Sequence, residues 1–152
     1  MDRQPREALM YEHMLMSRHA LQGSAPRLRR ATLERSAAVL LARLQASGPQ
    51  TVAELAEAFD LDVSTVHRQV AAAMKAGLIE RVDDPDGGTA RKHRPTQEGA
   101  SRLREDFRGR TESIAAVTAG WSEEDVRQLA RLMRRFNESA EAIREQPWPR
   151  EG

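Results

Sequence analysis

LAEAFDLDVSTVHRQVAAAMKAGLIER, residues Leu55 to Arg81, changes its hydrophobic period twice, and those changes decide the fold. Together with Val52 just before it, Leu55, Ala56 and Phe59 recur at spacings of three and four, giving one apolar helical face. Thr51 stands before that face with Glu54 three residues on, the pattern of a capping box. Asp60-Leu61-Asp62 then breaks the helix, with Leu61 expected as an apolar plug and Asp62 as the N-cap of a second helix. Val63, Val66, Val70, Ala73 and Met74 form the expected buried face of that second helix. Gly77 ends it, because glycine takes the left-handed C′ position at little cost. Leu78, Ile79 and Val82 switch to a short β-like run. Periodicity alone also fits an ordinary helical hairpin in a core. The exposed side separates the two readings. Ser64, Thr65, His67, Arg68 and Gln69 are donors suited to base edges and phosphates, and no acid occurs from Val63 to Lys75. This is the layout of a helix-turn-helix, whose second helix enters the major groove of DNA.

Working outward, Thr32 is expected to cap a preceding helix carrying Leu33, Ala37, Leu40, Leu41 and Leu44, which stops before Ser47-Gly48-Pro49. After the motif, residues 79–95 read as a hairpin with a tip, Asp83-Asp84-Pro85-Asp86-Gly87-Gly88-Thr89, rich in turn formers. Its returning arm, Ala90 to Pro95, is basic and acid-free. A helix-turn-helix followed by such a hairpin is a winged helix, in which a cationic wing lies against phosphates or reaches into the minor groove. The alternative is a solvated loop whose basic arm only offsets Asp83, Asp84 and Asp86.

Residues 4 to about 22 read as a Met-rich helix, suited to adaptable packing at an interface or a pocket, and Gly23-Ser24-Ala25-Pro26 as a linker. Arg27, Arg29, Arg30 and Arg35 then form either a solvated face or a backbone-facing one. Thr96 starts a helix whose stripe is Ala100, Leu103, Phe107, Ile114, Val117 and Trp121, interrupted at Arg110. Ser122 caps a last helix, in which Val126, Leu129, Met133, Phe136, Ala140 and Ile143 alternate spacings of three and four. That helix must pack along its length on another. An isologous two-fold homodimer is the simplest closed solution.

The expected fold is mainly α with a small β wing (α+β): a winged helix-turn-helix core plus N- and C-terminal dimerisation helices. Residues 1–26 are read as the N-terminal dimerisation helix and linker, and 27–96 as the winged helix-turn-helix, with a recognition helix at about 62–76 and a wing at about 79–95. Residues 97–145 are read as C-terminal dimerisation helices and 146–152 as a frayed tail.

Composition excludes more than it selects. In 152 residues, 39% are hydrophobic and 4% aromatic, so aliphatic residues and alanine must fill the core. With no cysteine, disulfides, thiolate–metal sites and thiol redox sensing are out. Twenty-four basic and 23 acidic residues leave a net charge of +1, so nucleic-acid affinity must come from local patches. MDRQPREALMYEH lacks the apolar centre of a signal peptide, and no run is apolar enough to span a membrane. The expectation is a cytoplasmic chain. His13, His19, His67 and His93 lack zinc-ligand spacing, Gly87-Gly88 lacks the lysine and helix of a phosphate loop, and the serines lack a nucleophile elbow. Neither an enzyme nor a cofactor is expected.

In order and spacing the chain resembles the MarR family of bacterial transcriptional regulators. The matching residues run from Thr32 to Gly99: ATLERSAAVLLARL and SGPQTVAELAEAF, then LDVSTVHRQVAAAMKAGLIER, then DDPDGG and Thr96-Gln97-Glu98-Gly99. The resemblance implies a triangular homodimer whose two recognition helices enter successive major grooves of an inverted repeat in double-stranded DNA. It also implies repression by occupancy, relieved by a small aromatic or anionic effector bound between the dimer helices and the winged lobe. The DNA-binding positions carried over are Ser64, Thr65, His67, Arg68 and Gln69, with Arg91 and Lys92 in the wing. Tyr11, His13 and Arg18, on the helix that passes the family's pocket, are the ligand candidates. Their alternative role is to line the dimer interface. The wing departs from the family pattern: the usual tip arginine falls on Thr89 and the usual aspartate on Gly87, and the return strand is Lys-His-Arg-Pro rather than aliphatic. The competing reading is a winged helix used for protein–protein contact, with no DNA function of its own.

Overall fold

The computed structural model describes residues 4–22 and 33–150. The expected linker at Gly23–Pro26, the arginines at 27, 29 and 30, and the expected cap Thr32 lie outside those residues, as does the His19 side chain. The elements are α1 (Pro5–Gln22), α2 (Arg35–Ser47), α3 (Val52–Phe59), α4 (Val63–Lys75), β1 (Ile79–Val82), β2 (Lys92–Pro95), α5 (Gln97–Val117) and α6 (Glu123–Ile143). Six helices and a two-stranded antiparallel sheet give the expected α+β winged helix.

The core lies between α2, α3, α4 and the base of the wing. Leu40, Leu41, Leu44, Leu55 and Val66 are fully buried, and Val70, Ala73, Leu78, Ile79 and Leu103 close around them. Each large aliphatic side chain there contributes about 1.5–3 kcal/mol of burial. Capping follows the sequence in part. Thr51 Oγ1 accepts the Glu54 N–H at 3.1 Å, Thr96 Oγ1 accepts the Gly99 N–H at 3.0 Å, and Ser122 Oγ accepts the Asp125 N–H at 3.1 Å. Asp62 occupies the N-cap of α4, but its carboxylate makes no capping bond. Helix α2 starts from Glu34, also without a side-chain cap.

Gly77 takes φ +75° as expected, and the chain it redirects runs straight into the wing. In the wing, Ile79 faces Pro95, Glu80 faces Arg94, Arg81 faces His93 and Val82 faces Lys92. Pro95 has no N–H to give, and the next residue supplies one: Thr96 N–H donates to the Leu78 carbonyl at 2.9 Å. Beyond the hairpin, His93 exchanges both backbone hydrogen bonds with Gln50, at 2.8 and 3.2 Å, tying the wing to the chain just ahead of the Thr51 cap of α3.

Four expectations are corrected. Leu61 is not a buried plug; it is 45% exposed, because its N–H closes α3 on the Ala56 carbonyl (3.0 Å) while its side chain points out. Val63 is also exposed, since the first turn of α4 runs past the end of α3, and the buried face begins at Val66. His93 is not part of an exposed cationic arm: it is buried, with Nδ1 lacking a hydrogen-bond partner among the described residues. On α5 the apolar stripe read from the sequence is buried within this chain at Leu103 and half-buried at Ala100, and its remaining residues are exposed. Gly99, Leu103, Asp106, Gly109 and Ser113 face inward, while Phe107, Ile114, Val117 and Trp121 face out. Finally, residues 146–150 are not frayed; they fold back onto α2 and α3, where Trp148 stacks on Phe59.

Asp106 was not singled out from the sequence. Wholly buried, it accepts the Leu33 N–H at 3.1 Å and the Arg110 Nε–H at 2.6 Å, and Arg110 also donates to the Leu33 carbonyl at 3.4 Å. The arginine that interrupts the apolar stripe is thus the counter-ion of a buried carboxylate that pins the approach to α2 onto α5.

A methyl group on Gly99 would sit 2.0 Å from the Leu78 carbonyl oxygen. Gly99→Ala is therefore expected to destabilise the fold by about 2 kcal/mol or more, read by urea unfolding. An unchanged midpoint would show that α5 can step away from Leu78 freely.

Burial holds the His93 imidazole below its ordinary pKa, opposed by a backbone group of Gln50 and reinforced by Arg81 and His67. A depressed histidine binds its proton more readily in the unfolded chain. Stability should therefore be unaffected above about pH 6.5 and fall as pH drops below it, until the folded pKa is passed. Thermal unfolding followed across that window should be steeper in the parent than in His93→Leu. Parallel profiles would locate the acid sensitivity elsewhere.

Candidate nucleic-acid interface

The leading turns of α4 are presented by the turn before it. Asp60 adopts the left-handed conformation (φ 53°, ψ 48°), which aspartate tolerates better than most residues, and this swings the chain from α3 into α4. Val66, Val70 and Ala73 hold the inner face of α4 on the core. On the outer face Ser64, His67 and Arg68 are exposed, and Thr65 and Gln69 are half-buried at its edges. Arg68 Nη2 lies 3.5 Å from Thr65 Oγ1, so the guanidinium lies along the helix surface towards its N-terminal turn. The five residues expected from the sequence therefore form one contiguous surface. It includes no carboxylate of α4, and the positive end of the helix dipole adds to its pull on an anion.

The wing is more nearly neutral than its sequence suggests. Lys92 Nζ lies 3.4 Å from Asp84, and both side chains are largely covered. Asp84 is held below the usual carboxylate range, first by the Asp86 N–H (3.0 Å) and also by Lys92. Across the ladder Arg94 pairs with Glu80 at 2.8 Å. Arg91 is exposed and has no carboxylate partner among the described residues, so of the two wing residues carried over it is the free cation. Gln50, which tethers the wing through His93, was missed. Its role is played by backbone atoms, which no side-chain pattern encodes.

The ligand candidates do not converge. Tyr11 and Arg18 are seven residues apart and share one face of α1, whereas His13 lies about 200° round from Tyr11. There its ring meets Phe136 of α6, with centroids 5.7 Å apart. An open groove of ≈ 420 Å³ lies beside Gly120, Trp121, Asp125, Gln128, Leu129 and Leu132, without α1. Among the described residues no group of three or more His, Asp or Glu side chains is placed to hold a metal ion, and no helix is long and apolar enough to cross a membrane.

These features can be set beside known proteins. Residues 32–96, from the approach to α2 to the start of α5, match the family model HVO_A0114. Over 135 residues the chain is 35% identical to YxaD of Bacillus subtilis, called an uncharacterized HTH-type transcriptional regulator, covering 89% of this chain and 94% of that one. A MarR family protein from Bacillus stearothermophilus has the same fold, with a TM-score of 0.72 at 23% identity, over 91% of this chain and 99% of that one. So does MarR itself, with a TM-score of 0.71 at 22% identity, over 97% and 99%. The chain belongs to the HTH-type transcriptional regulators, and its winged-helix fold is that of the MarR family structures.

Proposed function

We propose that the protein represses transcription by occupying an inverted-repeat operator as a homodimer. On this reading residues 27–96 form the DNA-binding domain, with residues 1–26 and 97–145 joining the two copies. One observation carries the DNA reading: an exposed, carboxylate-free surface from Ser64 to Gln69, with Arg91 as a free cation in the wing. Ser64, Thr65, His67, Arg68 and Gln69 would meet bases and phosphates in the major groove. Arg91 would meet the backbone or minor groove beside it. Lys92, already paired with Asp84, serves the shape of the wing tip first.

The dimer reading rests on α6. None of its residues is buried within one chain, and Leu129, Leu132, Met133 and Phe136 are 39–46% exposed on a regularly spaced stripe. Phe107 and Ile114 of α5, and Trp121 between α5 and α6, are exposed as well, and large apolar side chains left in water mark an interaction surface. A small aromatic or anionic effector would act by altering the spacing of the two recognition helices. Tyr11 and Arg18 share the face of α1 that could meet it, and His13 is occupied with Phe136. The ion pairs Lys92–Asp84 and Arg94–Glu80 reduce the wing's free charge and favour the second reading, a winged helix that contacts protein rather than DNA.

Selection from a random duplex pool at two salt concentrations separates these readings. An enriched inverted repeat with half-sites about one helical turn apart supports the dimeric regulator. Salt-sensitive retention without an enriched sequence indicates non-specific binding, and no retention indicates a protein partner. On the selected operator Arg68→Ala should cost about 1–3 kcal/mol if the guanidinium reads a guanine. Arg91→Ala should instead weaken all sequences alike and lower the salt slope by about 1. The reverse pattern would exchange their roles. Phe136→Glu should convert the dimer to a folded monomer in sedimentation, since Phe136 lies outside the winged-helix core; a dimer that persists would move the interface off α6.

A further inference from the structure

The last residues of the chain form a built structure that the DNA-reading surface does not explain. At the end of α6, Glu145 adopts φ +55°, a left-handed conformation that disfavours a side chain bearing Cβ. The Gln146 N–H closes on the Glu141 carbonyl at 3.0 Å, and the chain reverses direction. Trp148 then lies against Phe59, the last residue of α3, with ring centroids 6.0 Å apart and planes 27° from parallel. The Arg43 guanidinium of α2 sits over the same indole, 5.1 Å from its centre, and Arg43 Nη1 donates to the Pro147 carbonyl at 3.3 Å. Glu141, one turn before the end of α6, accepts the Trp148 N–H at 3.0 Å and pairs with Arg150 through both carboxylate oxygens.

Three elements thus meet on one indole: α2 and α3 of the winged core, and α6 through its own tail. The Arg150 guanidinium, with help from the Trp148 N–H, holds the Glu141 carboxyl down to about 2. Prolines at 147 and 149 stiffen the backbone on either side of Trp148, lowering the entropy lost in docking. Phe59 itself packs against the main core, so Trp148 extends that core to the tail, while α6 otherwise has little hold on the winged lobe.

We propose that Trp148 is a positioning residue: docked between Arg43 and Phe59, it clasps α6 to the helix-turn-helix of its own protomer and so fixes the recognition helix relative to the dimer helices. The transmission runs from Phe59 at the end of α3, through the Asp60 turn, to α4. Its consequence for DNA rests on the operator reading proposed above.

The chain has no cysteine, which allows a direct test. Spin labels at Ala53→Cys on α3 and Arg131→Cys on α6, in full-length chain diluted with excess unlabelled protein, report the distance within one protomer. A single narrow distribution is expected for Trp148, a broadened one for Trp148→Ala and for chain ending at Gln146, and a recovered one for Trp148→Phe. Equal widths in all four would overturn the clasp. On operators whose half-sites are moved together or apart by one base pair, the parent should discriminate on the order of tenfold more strongly than Trp148→Ala. Unchanged discrimination beside broadened distances would overturn the positioning role. Failure of the parent to bind any duplex would count against the operator reading instead, and the label distances, which need no DNA, keep the two failures apart.

Discussion

The recognition helix, the wing and the long helix α5 are joined through the backbone of two residues, Gly77 and Leu78. Gly77 turns left-handed and ends α4, and the Leu78 N–H reaches back to the Ala73 carbonyl at 3.0 Å. The Leu78 carbonyl accepts the Thr96 N–H, while Thr96 Oγ1 donates to the Gly77 carbonyl at 2.6 Å and caps α5. Only a residue without Cβ at position 99 lets α5 approach this closely. The angle between α4 and α5 is therefore set by short hydrogen bonds between main-chain atoms and a threonine, not by adjustable side-chain packing. A regulator that acts by moving recognition helices needs such a rigid joint, because a compliant one would absorb the motion.

That joint was half legible in the sequence. Gly77 as the helix stop and Thr96 as the next cap follow from residue type and spacing, and so do the helices, the hairpin and the exposed polar side of α4. Gly99 was visible only as part of a matching motif, since its meaning depends on a backbone 21 residues earlier in the chain. Leu61 and Val63 were misplaced because hydrophobicity at helical spacing says which residues could share a face, not where the neighbouring helix ends. Asp106 and Arg110 carried a signal that periodicity treats as noise: an acid and a base one turn apart, the acid on the inward face of the helix. Trp148 was discounted as part of a polar, proline-rich tail. A tryptophan there is itself informative, because so large an apolar surface gains most by being covered.

The wing shows why charge counted along a strand overstates charge available to a partner. From Arg91 to Arg94 the sequence has four residues able to carry positive charge and no acid. Folding assigns Lys92 to Asp84, Arg94 to Glu80 and His93 to the interior, and leaves Arg91 outside. Strand alternation does part of this, turning His93 inward between two outward neighbours. Antiparallel register does the rest, placing Glu80 opposite Arg94. The acids of the tip and of β1 thus shape the wing more than they repel DNA.

The inward face of α5 explains how one helix can serve both the lobe and a second copy. Gly99, Gly109 and Ser113 are small, Asp106 is paired with Leu33 and Arg110, and Leu103 is the one large apolar side chain that the inward side gives to the core of the lobe. Phe107, Ile114 and Val117 of α5, and Trp121 just beyond its end, are left exposed, next in sequence to the exposed stripe of α6. Had the large residues packed inward, the lobe would be better buried and the outer face polar, and a single chain would be self-sufficient. In the proposed dimer, α5 touches the winged lobe through main chain, small residues, Leu103 and the Asp106–Arg110 pair, and the partner through aromatic and branched ones. The stiff contact then lies where orientation must be transmitted, and the contact of large area where affinity between copies is needed.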